Sequence, residues 1–481
     1  MHWRAILRLL GILLLIYSAS FVPSGLVSLG YADQQWPAFA ASLLIAATAG
    51  AVLWLPNLRC RNELSVRDGF LVVTLFWAVL GVLGALPFML ALHWGIADAV
   101  FESMSGFTTT GATVVADIEA LPPSILYHRQ QIQWLGGMGV IVLAVAILPL
   151  LGVGGMQLYR AETSGVAKHE KPTPRISETA RALWALYFAL TAACALCFWV
   201  AGMGPFDAIG HAFATVSTGG FSTYNASIGH FDSVAIEVIA IVFMLAGGIN
   251  FAVHFIAWRK RSPGAYIADT ESVAFVAIFA GGTLLIAASL YAADAYGSAL
   301  ESLRYASFQA ASVLTSTGFG TATFAAWPLH IPMLLVVLSF TGGCGGSTAG
   351  GIKVLRVLIL AKLGLRQLKQ LAHPHALITV KVGQRPIMED VLFSVWGFSV
   401  LYVLVSLLLT LAMMAAGLDM ESAFGATVAT INLLGPGLGE VATDFAHVND
   451  AVKWLGAFGM LAGRLEIFTL LVLFVPDFWR H

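Results

Sequence analysis

The chain has 481 residues, of which 58% are hydrophobic and only 11% charged, whereas soluble domains have about 45–50% and about 25%. This composition excludes an ordinary soluble globular protein and indicates a polytopic membrane protein. A net charge of −1 argues against a nucleic-acid partner, and four scattered cysteines are too few for a disulfide framework.

Apolar runs predict ten membrane spans. Two lead the chain, at 6–29 and 36–55; a signal peptide is the alternative for the first, but the run is long for one and lacks a convincing cleavage site. Four pairs of spans follow. Their first members are 69–93, 180–201, 272–292 and 391–416, and their second members are 132–151, 234–258, 331–371 and 451–475. The third of these second members is too long for one straight span.

Within each pair lies a short, weakly apolar segment, whose length is typical of a re-entrant segment. The predicted fold is therefore an all-α polytopic membrane protein, with four helix–pore helix–helix repeats around a central pore plus two extra N-terminal transmembrane helices. The predicted domains are 1–67 for the two leading helices, then repeats one to four at 68–175, 176–265, 266–385 and 386–481.

One short motif follows every re-entrant segment, which signals internal repeats. Its copies are TTTGAT at 108–113, VSTGGF at 216–221, TSTGFG at 315–320 and a degenerate INLLGPG at 431–437. With Gly111, Gly219, Gly318 and Gly435 as reference positions, the intervals are 108, 99 and 117 residues.

The composition of these loops predicts a cation filter. Irregular backbone at membrane depth must be buried in protein or line a watery cavity, and small residues let carbonyl groups face inward to replace the water shell of a cation. Small-residue helix packing is the alternative, but it predicts glycines inside long apolar runs. The predicted residues of a potassium site at the filter are Thr109, Thr110, Gly111, Val216, Ser217, Thr218, Gly219, Thr315, Ser316, Thr317, Gly318, Asn432, Leu433, Leu434 and Gly435.

The positive charges test this topology. Of the 25 Lys and Arg, 21 fall on one set of loops and helix ends, which the positive-inside rule places in the cytoplasm together with both termini. Arg129, Arg304 and Lys453 fall on the other side, and Arg464 falls inside a span. The outer loops carry acidic residues that would concentrate cations, or that are ordinary solvated loop residues. Near the first turns of the short segments lie Asp98, Asp207, Glu301 and Glu421, which favour helix N-termini there.

The second span of repeat three contains a glycine run that predicts a break in the helix. Six of the eleven residues at 341–351 are glycine, and each costs about 1 kcal/mol relative to Ala in a helix. We expect a flexible gate loop below the filter, with a packing kink as the alternative. Its glycines are Gly342, Gly343, Gly345, Gly346, Gly350 and Gly351.

Arg464 lies at membrane depth, where a charge is expensive and usually faces a cavity or a partner. We expect it to bond carbonyl groups released by the broken helix and to hold the gate shut; snorkelling toward the cytoplasm is the alternative. Asn250 is either interhelical glue or a pathway residue. His211 and His254 are expected to be packing residues rather than metal ligands.

These motifs resemble the Trk/Ktr/HKT potassium-transporter superfamily, most closely its TrkH-type bacterial membrane subunit. The resemblance rests on SGFTTTGA at 105–112, STGGF at 217–221, TSTGF at 315–319, Asn432 with GPGLGE at 435–440, the glycine loop at 342–353 and Arg464, and it covers nearly the whole chain. The two leading spans are similar to the TrkH branch. Leu433 and Leu434 depart from the pattern, in which polar or smaller residues are expected.

The resemblance implies a potassium uptake protein of the bacterial inner (plasma) membrane. It also implies a homodimer with one pore per protomer, a TrkA-like cytoplasmic nucleotide-binding subunit, a filter lined by the four reference glycines, and obstruction of the pore by the loop and Arg464. The only ion implied is the transported potassium; no cofactor is predicted.

Two other classes of function remain as alternatives. A secondary symporter coupled to Na⁺ or H⁺ usually shows two halves with broken helices in matching positions, whereas four same-sense repeats and one broken helix favour a channel-like protein. A membrane enzyme would need a cluster of nucleophiles at one depth, and the chain is predicted not to be an enzyme. The sequence leaves open the coupling to protons, the ratio of K⁺ to Na⁺ and the nucleotide of the partner.

Overall fold

The computed structural model describes residues 1–60, 65–142, 173–383 and 385–480. The predicted all-α polytopic fold is confirmed. Six stretches in the described residues are long and apolar enough to cross a membrane, or up to eight if two bent helix pairs are counted. The six are Trp3–Tyr31, Trp36–Asn57, Arg67–Leu92, Ala180–Val200, Thr270–Ala292 and Glu389–Ala415.

The helices follow the predicted order. They are Trp3–Ser18, Phe21–Tyr31, Trp36–Trp54, Val66–Leu83, Leu86–Leu92, Ile96–Phe107, Pro123–Val142, Thr173–Val200, Pro205–Val216, Val234–Gly248, Phe251–Lys260, Gly264–Ala268, Thr270–Ala292, Ala299–Leu314, His330–Thr341, Val354–Ala372, Glu389–Ala415, Met420–Ile431, Asp450–Arg464, Phe468–Leu471 and Pro476–Trp479. Two short strands, Lys381–Val382 and Arg385–Pro386, pair antiparallel. The boundaries of the five predicted domains stay a prediction.

Each repeat has a long helix, a short helix, a loop and a second helix. We name the short helices 1 to 4: Ile96–Phe107, Pro205–Val216, Ala299–Leu314 and Met420–Ile431. The prediction of acidic first turns is confirmed, since they contain Asp98, Asp207, Glu301 and Glu421. The C-terminal half of each short helix is almost wholly buried, which places its end at the centre of the protein.

The two leading spans pack against repeat one. Tyr17 and Phe21 of the first span lie in one buried cluster with Trp77, Phe88 and Phe107, which supports a span retained in the folded protein. The connection between the leading spans is also tied to repeat one, because Asp33 Oδ2 accepts a hydrogen bond from the backbone amide of Ser124 at 2.9 Å.

The prediction of straight second spans in repeats two and four is wrong. The helices Val234–Gly248 and Phe251–Lys260 meet at 100°, and Asp450–Arg464 meets the segment Phe468–Phe474 at 108°. The predicted break in repeat three is confirmed, between His330–Thr341 and Val354–Ala372. In repeat one, Pro123–Val142 is described, but the remainder of the predicted span lies outside the described residues. Three second spans therefore break.

Tertiary contacts explain the bend in repeat two. The carbonyl oxygens of Gly247 and Gly248 accept hydrogen bonds from the amides of Thr348 and Cys344 in the glycine loop, at 3.2 and 2.8 Å. The Asn250 side chain caps the helix that follows, accepting from the amide of Ala252 at 2.9 Å. Asn250 thus stabilises the local bend, and the two roles that its sequence suggested stay predictions.

The bend in repeat four is strained. Glu466 and Ile467 have φ angles of 53° and 54°, and a β-branched residue rarely adopts this left-handed conformation. A contact from repeat three stabilises this bend, because Arg356 Nη2 donates to Glu466 Oε2 at 2.5 Å.

The basic loop between repeats one and two lies outside the described residues up to residue 172. Arg61, on the same predicted side of the membrane, also lies outside them. The three outer cations are described, and each is paired with acid. Arg304 contacts Glu237 at 2.6 Å, Lys453 contacts Asp98 at 2.6 Å, and Arg129 is treated below. These acidic partners are therefore paired with cations, and the concentration of cations by the outer acidic residues stays a prediction.

Candidate functional site

The four loops after the short helices share one backbone conformation. The residue after each helix caps it, and the next has a left-handed φ: 53° at Thr109, 52° at Thr218, 53° at Ser316 and 59° at Leu433. Two residues further on, the φ angle is positive again, at Gly111, Gly220, Gly318 and Gly435 with 83°, 79°, 80° and 92°. The loops are thus equivalent residue by residue.

This equivalence corrects the register of repeat two. The counterpart of Gly111 is Gly220, not Gly219, and Gly219 instead occupies the position of Thr110, Thr317 and Leu434. Repeat two contains two adjacent glycines, and the sequence comparison chose Gly219 because it follows Thr218 as Gly111 follows Thr110. Counting from the C-terminal end of the short helix selects the second.

The loops form a closed ring. A Cβ atom added at Gly111 would lie 2.3 Å from the carbonyl oxygen of Gly219 in the next loop, and one added at Gly220 would lie 1.8 Å from that of Thr317. A Cβ atom added at Gly318 would lie 2.1 Å from the carbonyl oxygen of Leu434, and one added at Gly435 would lie 2.8 Å from that of Thr110. Loop one thus contacts two, two contacts three, three contacts four, and four returns to one.

The ring presents carbonyl oxygens. The loop amides are used by the helix ends, as in Thr109 N to Gly106 O at 2.9 Å and Ser316 N to Val313 O at 3.0 Å. Within the described residues, the carbonyl oxygens of Thr110, Thr317 and Leu434 accept no hydrogen bond. The C-terminal ends of the four helices, which carry partial negative charge, lie beside them. This combination favours a cation that has lost its water.

The hydroxyl groups of Thr110 and Thr317 are bonded within their own loops. Thr108 and Thr110 share a hydroxyl–hydroxyl bond of 2.7 Å, and Thr315 and Thr317 share one of the same length. Leu433 and Leu434, the departure from the family pattern, pack into two separate apolar clusters. Their bulk is thus accommodated outside the ring, and their carbonyl groups remain available.

The remaining predicted filter residues are Val216, Ser217, Thr315 and Asn432 at the ends of the short helices. All are buried. Asn432 donates from Nδ2 to Ser339 Oγ at 2.8 Å, and its Oδ1 accepts from the Tyr402 hydroxyl. These residues fix the helix ends that carry the loops.

A cavity of about 360 Å³ lies on the glycine side of the ring. Gly111, Gly220, Gly318 and Pro436 line it, together with residues of the connecting loops such as Tyr224 and Thr321. A cation approaching from this side therefore meets the carbonyl ring directly.

The glycine loop lies against the opposite side of the ring and touches three of its members through Thr348 and Gly350. The Thr218 hydroxyl donates to Thr348 Oγ1 at 3.1 Å, and the amide of Gly350 donates to Ser316 Oγ at 2.6 Å. A Cβ added at Gly350 would lie 2.3 Å from the carbonyl oxygen of Asn432. A bulkier chain could not approach so closely.

The loop conformation depends on its glycines. Gly342, Gly346 and Gly351 have φ angles of 69°, 72° and 78°, in the region that favours glycine. Gly343 lies close to the carbonyl oxygen of Gly248, and the amide of Gly345 donates to Glu271 Oε1 at 2.8 Å. The loop is therefore extensively bonded in this structure.

Arg464 supplies the fourth contact. Its Nη1 donates to the carbonyl oxygen of Thr348 at 2.9 Å, and its Nη2 donates to Thr109 Oγ1 at 2.6 Å. The predicted bond to a carbonyl of the glycine loop is confirmed. The residue is only 5% exposed and links the loop to the ring rather than snorkelling away.

Sequence reasoning missed the buried pair of Arg129 and Glu102. Arg129 Nε contacts Glu102 Oε1 at 2.7 Å, and Glu102 also accepts from the amide of Val114 at 2.9 Å. Arg129 lies 4.2 Å over the ring of Phe221 in loop two. The signal was available, since Arg129 is one of three cations on the acidic side, but only the fold brings it to Glu102.

His211 and His254 have the packing roles that the sequence suggested. The ring nitrogens of His211 lie 2.8 Å from the carbonyl oxygen of Asp207 and 2.9 Å from Ser222 Oγ. Those of His254 lie 2.8 Å from the Tyr266 hydroxyl and from the carbonyl oxygen of Ala246.

Comparison with known proteins gives one consistent result. Residues 35–481 match the model of the TrkH family, described as cation transport protein. The chain is 50% identical to the Trk system potassium uptake protein TrkH of Salmonella typhimurium over all of both chains. It is 40% identical to the Trk system potassium uptake protein TrkG of Escherichia coli, over all of this chain and 99% of that protein. The crystal structure of the potassium transporter TrkH from Vibrio parahaemolyticus superposes with a TM-score of 0.94 at 48% identity, covering both chains completely.

Proposed function

The chain belongs to the TrkH family of cation transport proteins, and on that premise we propose that it takes up potassium across the bacterial inner membrane. The relatives named above are potassium uptake proteins. The ion would enter the cavity, lose its water at the carbonyl ring, and leave past the glycine loop. The protein is a multi-pass membrane protein, and nothing in this route requires it to be an enzyme.

The observation that carries the proposal is the closed ring. Four loops meet head to tail, with carbonyl oxygens at equivalent positions and a cavity on one side. Within the described residues, three of these four oxygens accept no hydrogen bond. Potassium has a weaker hold on its water shell than sodium, and rings of backbone carbonyls are the common replacement for that shell. The glycines at 111, 220, 318 and 435 keep side chains out of the ring.

The glycine loop and Arg464 would form the gate. In this structure they lie against the side of the ring opposite the cavity, and the positive charge of Arg464 would repel a cation in the same passage. Opening requires the loop to leave its bonds with Thr218, Ser316 and Arg464.

The regulatory partner would be a TrkA-like cytoplasmic nucleotide-binding subunit, and the protein would act as a homodimer. The charge distribution supports cytoplasmic termini and a basic cytoplasmic surface. On that surface, the helix Val354–Ala372 follows directly after the glycine loop and carries exposed Lys369 near its end. A subunit bound there could pull on the loop.

Coupling to Na⁺ or H⁺ stays as a second candidate because of one observation. The sequence predicted one broken helix, which counted against a symporter, but three second spans break in the part of the chain that the structure describes. Discontinuous helices are frequent in symporters, so their number does not separate the two functions. Four same-sense repeats around one ring still favour the channel-like function.

The test is uptake by the purified protein in liposomes. We expect potassium flux that follows the potassium gradient, exceeds sodium flux, and is unaffected by an imposed pH or sodium gradient at clamped voltage. Potassium flux driven against its own gradient by protons or sodium would establish the symporter instead. Absence of potassium flux, with and without a TrkA-like subunit, would overturn the proposal.

A further inference from the structure

The carbonyl ring contains one irregular position. At the level of Thr110, Thr317 and Leu434, loop two has Gly219, which has no side chain. In loops one and three, the threonine hydroxyls at this level bond Thr108 and Thr315 at 2.7 Å. Loop two lacks this brace.

A side chain from repeat one fills the missing place. Gln133, in the second helix of repeat one, is completely buried, and a Cβ atom added at Gly219 would lie 2.5 Å from its Cδ, 2.7 Å from Oε1 and 2.9 Å from Nε2. The amide group of Gln133 thus occupies the volume that a side chain at position 219 would need.

Gln133 also bonds loop two at both ends of its amide. Nε2 donates to the carbonyl oxygen of Gly219 at 2.5 Å, and Oε1 accepts from the amide of Phe221 at 3.0 Å. The assignment of nitrogen and oxygen follows from these partners, because a backbone amide can only donate and a carbonyl can only accept.

The bond has an electrostatic consequence. The oxygen of Gly219 is placed like the other three ring oxygens, beside the glycine of the neighbouring loop. Within the described residues it is the one among these four that accepts a hydrogen bond. A donor on a carbonyl oxygen uses one lone pair and leaves less electron density for a cation.

We propose that Gln133 is a specificity-determining positioning residue, which holds the Gly219 carbonyl in the ring and weakens it as a cation ligand. A ring of weaker, fixed oxygens favours the larger ion, whereas a stronger or collapsible one admits the smaller ion. The inference rests on the proposed potassium function and adds a residue outside the four loops to its selectivity.

The experiment compares potassium and sodium flux in liposomes containing the whole protein. Gln133→Met keeps a similar volume but removes the donor, so the ratio of potassium to sodium flux should fall roughly fivefold, the factor that corresponds to one neutral hydrogen bond. The matched control is Gln131→Met, since Gln131 lies on the same helix but bonds Ser24 and Ser20 of the first leading span. The control should keep the ratio.

A compensating pair provides the second arm. Gly219→Thr alone should lower the ratio, because the new side chain collides with Gln133. Combined with Gln133→Ala it should regain only part of the ratio, because the threonine hydroxyl can then bond Ser217, as its counterparts do in loops one and three, while the carbonyl oxygen of position 219 still has no donor. If Gln133→Met does not accumulate, this recovery decides the question.

Three results would overturn the inference: an unchanged ratio in both Gln133→Met and Gly219→Thr, an equal fall in Gln131→Met, or a paired variant that regains either none or all of the ratio. These outcomes presuppose a wild-type protein that prefers potassium. A wild type that carries no potassium would instead end the proposed function.

Discussion

Gly111 is the residue whose replacement should change ion preference most directly. Its φ of 83° is strained for any other residue, and a Cβ would lie 2.3 Å from the carbonyl oxygen of Gly219. Gly111→Ser should therefore push loop two outward and lower the potassium-to-sodium flux ratio about tenfold, the equivalent of 1.4 kcal/mol.

The control is Gly320→Ser, which follows loop three and meets no atom within 4 Å. It should leave the flux ratio unchanged. A Gly111→Ser protein with wild-type ion ratios would show that loop one does not contact the ion.

The pair of Glu102 and Arg129 should matter for stability. Both side chains are at most 1% exposed, and removing one partner of a buried pair costs about 3–5 kcal/mol because the other charge stays buried. Arg129→Met should therefore lower the thermal unfolding temperature in detergent, and adding Glu102→Gln should restore part of it.

Glu389→Gln is the matched control for that pair. Glu389 is 60% exposed in its pair with Arg366, and exposed pairs contribute about 0–1 kcal/mol. Equal losses from Arg129→Met and Glu389→Gln would contradict the stabilising role of the buried pair.

The carboxyl group of Asp33 should make the packing of the leading spans depend on pH. Burial raises the pKa of its carboxyl, but hydrogen bonds from Ser28 and Ser124 outweigh burial and hold the pKa below its ordinary value. A lowered pKa gives stability that is present above the unfolded value of about 3.9 and is lost as the pH falls through the folded value.

Asp33→Asn should therefore reduce thermal stability near neutral pH and flatten its decline in acid. The measurement is the unfolding temperature as a function of pH for both proteins. Parallel curves for the variant and the wild type would show that the Asp33 carboxylate contributes nothing.

The glycine loop is the element on which gating should depend. Deleting 345–350 removes its contacts with loops two and three, and Arg464→Ala removes two bonds and a positive charge. Charge-assisted hydrogen bonds contribute about 1.5–3 kcal/mol each, so we expect flux to rise at least about tenfold while the potassium-to-sodium ratio is kept.

Arg480→Ala serves as the control, because Arg480 is exposed and its side chain pairs with the exposed Asp477. Its flux should match the wild type. Unchanged flux in both gate variants, at normal protein levels, would leave the loop as a packing kink.

For the whole molecule, the prediction concerns its partner. The membrane protein should co-purify from native lipid with a TrkA-like ring, and Lys369→Glu on the exposed end of the helix Val354–Ala372 should weaken that association severalfold. A substitution near the N-terminus, Arg4→Glu, tests whether the loss of any cytoplasmic positive charge has the same effect. No association of the wild type in native lipid would contradict the proposed regulation.

The repeat architecture could be read from the sequence, because membrane spans and their spacing depend on local composition. The break at 341–351 was likewise predictable, since six glycines disfavour a helix wherever they lie. The same holds for the acidic first turns, because acidic residues there are stabilised by the dipole of their own helix. Membership in the TrkH family followed from motifs in order along the chain.

The bends in repeats two and four were not predictable in this way, because their cause lies elsewhere in the chain. The carbonyl oxygens of Gly247 and Gly248 accept hydrogen bonds from the glycine loop, which lies far away in the sequence. Glu466 accepts a hydrogen bond from Arg356. The register of loop two, the pair of Glu102 with Arg129, and the amide of Gln133 in the place of a missing side chain are of the same kind. Each depends on which surfaces meet across repeats, and only packing in three dimensions decides that.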